Sequence, residues 1–207
     1  IGELSNDIAA VFFDTVPKEK RTNGRVQIVT STSFFIPKPF TPFQWARMCT
    51  KEEFIEKAYQ TKKGIMTQLN QKSIKYNWHE ADVSVLEGIF ARGDRKLANV
   101  IAKAYEKGCM FDSWSECFHN DVWMECFTQC GVDPDFYTTR ERAEDEIFPW
   151  DFLDCGVTKE FLLREWKKAM AQTVSPNCRK QCQGCGANRF GGGVCLEKNR
   201  TTIPQQT

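Results

Sequence analysis

The sequence predicts an α/β remnant followed by a mainly α-helical extension and a small cysteine-rich metal knuckle. Three observations predict it. A β-branched and aromatic run, VQIVTSTSFFI over 26–36, follows an amphipathic segment and precedes the proline-rich PKPFTP. Helical periodicity with capping signals dominates from Thr50 onward. Near the end, CRKQCQGCG sets three cysteines at C-x3-C-x2-C spacing.

Each element has a local reason. Residues 1–20 read as a helix with Ile8, Val11 and Phe12 on one stripe, closed by a turn at Thr22-Asn23-Gly24. The run 26–36 reads as a parallel strand at a sheet edge, and the prolines after it force a rigid, extended exit. Thr50 and Glu53 form a capping box ahead of Phe54, Ile55, Ala58, Tyr59, Ile65, Met66 and Leu69 at helical spacing. Ser84 and Glu87 suggest a second box before Ile89 and Phe90. Gly93 marks a bend before Leu97, Val100, Ile101 and Ala104, and Gly108 a C-terminal stop. Further helices are expected near Asn120–Cys130, ending at Gly131, and from Thr158 through Phe161, Leu162, Glu165 and Trp166. The expected regions are 1–48, 49–175 and 176–207.

Composition narrows the function. The 207 residues are 41% hydrophobic and 27% charged, as in a folded domain rather than a disordered chain. Lys plus Arg is 28 against 27 for Asp plus Glu. That balance supplies no strong field for nucleic acid or a membrane surface, although a local basic patch stays open. No stretch reaches the roughly 18 apolar residues of a membrane span, and the start lacks a signal-peptide layout. Because the chain opens on Ile1, it reads as a piece of something longer.

Ten cysteines could make a disulfide scaffold, but their placement argues otherwise. Cys109, Cys117, Cys126 and Cys130 lie among Phe, Trp and Met, as small buried apolar residues do. Scattered thiols with one terminal cluster predict a reducing, cytoplasmic setting and a metal site. In that cluster Cys178, Cys182 and Cys185 are the expected ligands, with Cys195 as the fourth after the glycine-rich return GANRFGGGV. Thiolates are soft, charged ligands for zinc or an iron–sulfur cluster, and both stay open. Gly186 suits the left-handed residue after a knuckle ligand, and Arg179, Lys180 and Arg189 would offset thiolate charge.

SFFIPKPFTPFQW at 33–45, then LEGIFARGDRKL, FDSWSE, FYTTRER, PWDFLDCGVTKEFL and CRKQCQGCG, appear in that order over nearly the whole chain. Together they resemble the C-terminal part of radical S-adenosylmethionine proteins of the kind fused to a cobalamin-binding domain. The resemblance implies that residues 1–48 are the last helix and strand of a partial β/α barrel. It implies an open 4Fe–4S cluster, S-adenosylmethionine and cobalamin in the parent protein, with the N-terminal radical region as this chain's partner. In that family C-x3-C-x2-C lies after the first barrel strand. Here it lies at the far end, so it is not read as the cleaving cluster, no catalytic residue is assigned, and the chain alone is expected to be inactive. Lys38, Thr41, Gln44 and Trp45 follow the C-terminal end of the implied strand, the edge where barrel active sites are built, and are expected to rim a substrate pocket or to pack as a linker. The alternative is a non-catalytic zinc-knuckle module that binds a protein or RNA partner.

Other residues read as structural. His79 and His119 sit in no ligand or catalytic spacing. ARGDRK at 91–96 reads as a solvated, salt-bridged bend, and Glu144, Asp145 and Glu146 as a solvated face.

Overall fold

A computed structural model describes residues 1–21 and 26–190. They form a mixed α/β fold with seven α-helices and a two-stranded parallel sheet among the described residues. The chain divides into two compact units. The first holds Ile1–Ile36, Met48–Phe90 and Arg95–Thr139; the second holds Pro37–Arg47, Ala91–Asp94 and the residues from Arg140 on. This partition interleaves the regions expected at 1–48 and 49–175. The exit segment at 37–47 groups with the cysteine-bearing segment, not with the strand before it.

In the first unit, α1 (Gly2–Thr15) buries Ser5 and Ala9. The expected stripe is turned outward, with Ile8 48% and Val11 64% exposed. Small residues decide this orientation because they allow close approach. A Cβ on Gly2 would lie 3.0 Å from the Gly64 carbonyl oxygen. The Ser5 and Thr30 hydroxyls are 2.8 Å apart, and Asn6 Oδ1 accepts the Asn70 amide at 3.1 Å.

The strand expected over 26–36 is β1, Ile28–Thr32. It pairs in parallel with β2, Ile74–Trp78, in the register Ile28↔Ile74 to Thr32↔Trp78. The stretch 49–175 is mainly helical, as expected, but it also contains this second strand, which the sequence reading does not include. Between them runs α2 (Lys51–Met66), whose capping box is formed: the Glu53 amide donates to Thr50 Oγ1 at 3.2 Å and the Thr50 amide to Glu53 Oε2 at 2.8 Å. Its stripe buries Phe54, Ala58 and Ile65, while Tyr59, Met66 and Leu69 are exposed. Phe34, Met48, Phe54 and Ala81 form one core cluster, with the Phe34 and Phe54 rings 4.2 Å apart.

The helix α3 (Ala81–Arg92) begins before Ser84, so the second capping box does not form; Ser84 Oγ instead donates to the Glu80 carbonyl at 2.9 Å. Leu86 and Ile89 pack with Leu97, Val100 and Ala104 of α4 (Leu97–Glu106) and Trp123, Cys126 and Phe127 of α5 (Asn120–Gln129). Gly108 (φ +92°) and Gly131 (φ +63°) end α4 and α5 in the left-handed conformation, as their positions predict. Cys109 and Cys126 are buried in this core, and burial pushes the Cys109 thiol up. A single turn, α6 (Pro134–Tyr137), follows an Asp133 cap.

The second unit has its own core of Trp45, Phe148, Trp150 and Leu162. Phe148 stacks on Trp150 at 4.9 Å. Gln44 Oε1 accepts from the Trp150 indole at 3.0 Å and from the Phe40 amide at 3.1 Å. Leu162 comes from α7 (Lys159–Met170), capped by Thr158 Oγ1 accepting the Phe161 amide. Among the described residues no helix is long and apolar enough to cross a membrane.

Candidate metal centre

The cysteine segment lies in the second unit, against the start of α7. Its first ligand candidate, Cys178, follows Asn177, whose side chain accepts the Arg179 and Lys180 amides at 3.0 and 3.2 Å. That turn is held locally and leaves Cys178 exposed. Cys182 is also exposed, and its Sγ accepts the Gly184 amide at 3.5 Å. Gly184 (φ +66°) and Gly186 (φ +92°) are left-handed on either side of Cys185. An amide aimed at one sulfur and a left-handed glycine after the next cysteine are features expected of a metal knuckle.

The knuckle is anchored. The Thr158 amide donates to the Cys185 carbonyl at 3.0 Å. A Cβ on Gly186 would lie 2.8 Å from the Gly156 carbonyl oxygen, so the two loops meet where only glycine fits. Arg164 donates to the Gln183 carbonyl, and Arg189 pairs with Asp154. The last contact means that Arg189 is engaged by a carboxylate, whereas the sequence assigns it to thiolate charge.

The fit to a metal is partial. Gly184 and Gly186 are left-handed around Cys185, and all the candidate ligands are thiols. Yet among the described residues no group of three or more His, Cys, Asp or Glu side chains is placed to hold an ion. Cys195 lies outside the described residues. Cys178, Cys182 and Cys185 are free thiols. His79 and His119 are exposed.

The expected pocket rim separates into different environments. Thr41 Oγ1 donates to the Lys38 carbonyl at 2.8 Å at the surface. Gln44 and Trp45 are only 2% and 1% exposed. Trp45 is a core member, packed 5.8 Å from the Phe148 ring. Gln44 also borders a cleft of about 420 Å³ whose polar lining includes Asp151, Asp154, Thr158, Lys159 and Arg189. Two of the cleft's carboxylates are paired: Lys159 Nζ reaches Asp151 at 2.5 Å, and Arg189 pairs with Asp154.

Two arginines of the second unit are buried, and Arg92 is the exception to the solvated reading of its segment, where Arg95 and Lys96 are exposed. Arg92, within ARGDRK, is fully buried, and the Arg142 side chain is 2% exposed. Arg142 lies 5.4 and 5.3 Å from the Phe148 and Trp150 rings. Glu146, on the stretch read as a solvated face, accepts both Arg140 terminal nitrogens at 2.8 Å and one from Arg142 at 3.4 Å. The Arg140 hydrogen bonds hold the Glu146 carboxyl below its ordinary value of 4.5. A depressed carboxyl stabilises the fold above its unfolded pKa and loses that contribution as pH falls through the folded one. Thermal unfolding should therefore show stability falling on acidification below the ordinary carboxylate range. Glu146→Gln should flatten that dependence; an unchanged slope would contradict the assignment.

No family model, curated protein or solved structure matches the chain.

Proposed function

We propose that this chain is the C-terminal part of a radical S-adenosylmethionine iron–sulfur enzyme and that its terminal cysteines hold a metal. The observation that supports the metal reading is the turn at Cys182–Gly186, with the Gly184 amide on Cys182 Sγ and left-handed glycines around Cys185. The ordered motifs from SFFIPKPFTPFQW to CRKQCQGCG support the family reading, and the parallel pairing of β1 and β2 is compatible with an α/β parent. Cys178, Cys182, Cys185 and Cys195 would hold the ion or cluster. Bound there, it would cross-link the terminal segment onto the start of α7 and neutralise thiolate charge. S-adenosylmethionine, its 4Fe–4S cluster and cobalamin belong to the N-terminal region, which is this chain's partner in the proposal, in the cytoplasm.

The same knuckle features favour a second reading, a zinc module that binds a protein or RNA partner without chemistry. Two measurements test the metal and the chain's own inactivity, and a third separates the readings. Anaerobically purified protein should contain stoichiometric iron or zinc, and its absence would sink the metal reading. Reconstituted with iron, sulfide, reductant and S-adenosylmethionine, this chain alone should yield no 5′-deoxyadenosine. Production abolished by Cys182→Ala would place the cleaving cluster here instead. If an upstream C-x3-C-x2-C segment is joined to the chain and activity then appears, the enzyme reading stands; inactivity with zinc retained would favour the module.

A further inference from the structure

The interior of the second unit buries an arginine with unmet donors. Arg92 is 0% exposed. Its Nη1 donates to the Ala46 carbonyl at 2.8 Å and lies 3.4 Å from that of Pro37. Its Nε and Nη2 are buried and have no hydrogen-bond partner among the described residues. Neither does the indole Nε1 of Trp45, the residue before Ala46, which is 1% exposed. All three atoms are donors, so no rearrangement among them can satisfy any of them.

These residues are tied together. The Arg142 amide donates to the Trp45 carbonyl at 3.2 Å, and Arg142 Nη2 donates to the Arg92 carbonyl at 3.2 Å. The Arg142 and Arg140 guanidinium groups act electrostatically on Arg92, and Glu146 opposes them. Glu146 is already engaged by Arg140 and Arg142. Burial, then Arg142 and Arg140, lower the Arg92 pKa to about 10, so the guanidinium keeps its charge at neutral pH. A buried charge with two unmet N–H donors is among the most destabilising features an interior can carry.

We propose that the Nε and Nη2 edge of Arg92 holds a small monovalent anion of halide size inside the second unit. That edge of a guanidinium presents two nearly parallel N–H groups, a fork suited to one anionic acceptor. A halide supplies a negative charge beside the buried guanidinium as well as the acceptor. A water molecule supplies only the acceptor. Sulfate and phosphate are larger and usually divalent, and full burial of Arg92 leaves no open surface for them. This site is independent of the cysteine metal.

Crystals of the unaltered chain grown in sodium bromide test the proposal first. An anomalous bromine peak within hydrogen-bond reach of Arg92 Nε and Nη2 is expected, and an ordered water there without a bromine signal would overturn it. Melting temperature gives a second readout. At matched ionic strength, chloride and bromide should raise it by several degrees over gluconate, with saturation, and Arg92→Met should lose the increment. Equal effects of all the salts on wild type, or a halide increment retained in Arg92→Met, would overturn the site. If Arg92→Met does not fold, the bromine peak in the unaltered chain decides.

Discussion

Trp45→Ala is expected to destabilise the second unit by about 3–5 kcal/mol, the usual cost of truncating a buried tryptophan. Trp45 is 1% exposed and packs with Phe148, Trp150 and Leu162. Its carbonyl also accepts the Arg142 amide, so the backbone it positions anchors a buried arginine. A domain is stable by only about 5–15 kcal/mol, so this loss approaches complete unfolding of the unit. Trp45→Phe keeps an aromatic ring against Phe148 and should cost less than half as much. Denaturant midpoints followed by circular dichroism measure both. A loss below about 1 kcal/mol for Trp45→Ala would remove Trp45 from the core and return it to a pocket rim.

Gly186→Val is expected to release the cysteine knuckle from the start of α7 and weaken metal binding at least tenfold, a factor worth about 1.4 kcal/mol. Two independent penalties act. The φ of +92° is unfavourable for any residue with a Cβ, and most so for a β-branched one. The new Cβ would also lie 2.8 Å from the Gly156 carbonyl oxygen and 3.0 Å from Thr158 Cγ2. Both sit beside the bond from the Thr158 amide to the Cys185 carbonyl. Gly184→Ala is the matched control: its φ is +66°, but nothing lies within 4 Å of the added Cβ. It should carry the backbone strain alone and weaken binding less. Competition titration with a chromophoric chelator measures both. Equal affinities for Gly186→Val and the parent chain would show that loop docking does not matter to the ligand set.

Sequence reading succeeded where structure is written locally. The Thr50–Glu53 box, the Thr158 cap and the left-handed glycines at 108, 131 and 186 depend on residues within a few positions of one another. It failed where partners are distant in the chain. β2 was missed because its alternation of Ile74, Tyr76 and Trp78 is only five residues long and sits between strongly helical stretches. The face of α1 was misjudged because hydrophobicity favours Ile8 and Val11, whereas close packing selected Ser5 and Ala9. Arg92 looked like surface because its neighbours Arg95 and Lys96 are surface. Nothing within ARGDRK indicates that Arg92 meets the carbonyls of Pro37 and Ala46, 55 and 46 positions away. At the cysteines the left-handed Gly186 was legible, but no ligand set converges among the described residues, because convergence is a matter of tertiary closure.

X-ray absorption at the metal edge of the anaerobically purified chain tests that closure most directly. An all-sulfur environment at about 2.3 Å is expected, the usual metal–thiolate range. Cys195→Ser should remove one protein sulfur, and Cys182→Ser should lose the metal. A protein without metal, or one whose absorption spectrum is unchanged in Cys182→Ser, would contradict the assignment of the terminal cysteines as a metal centre.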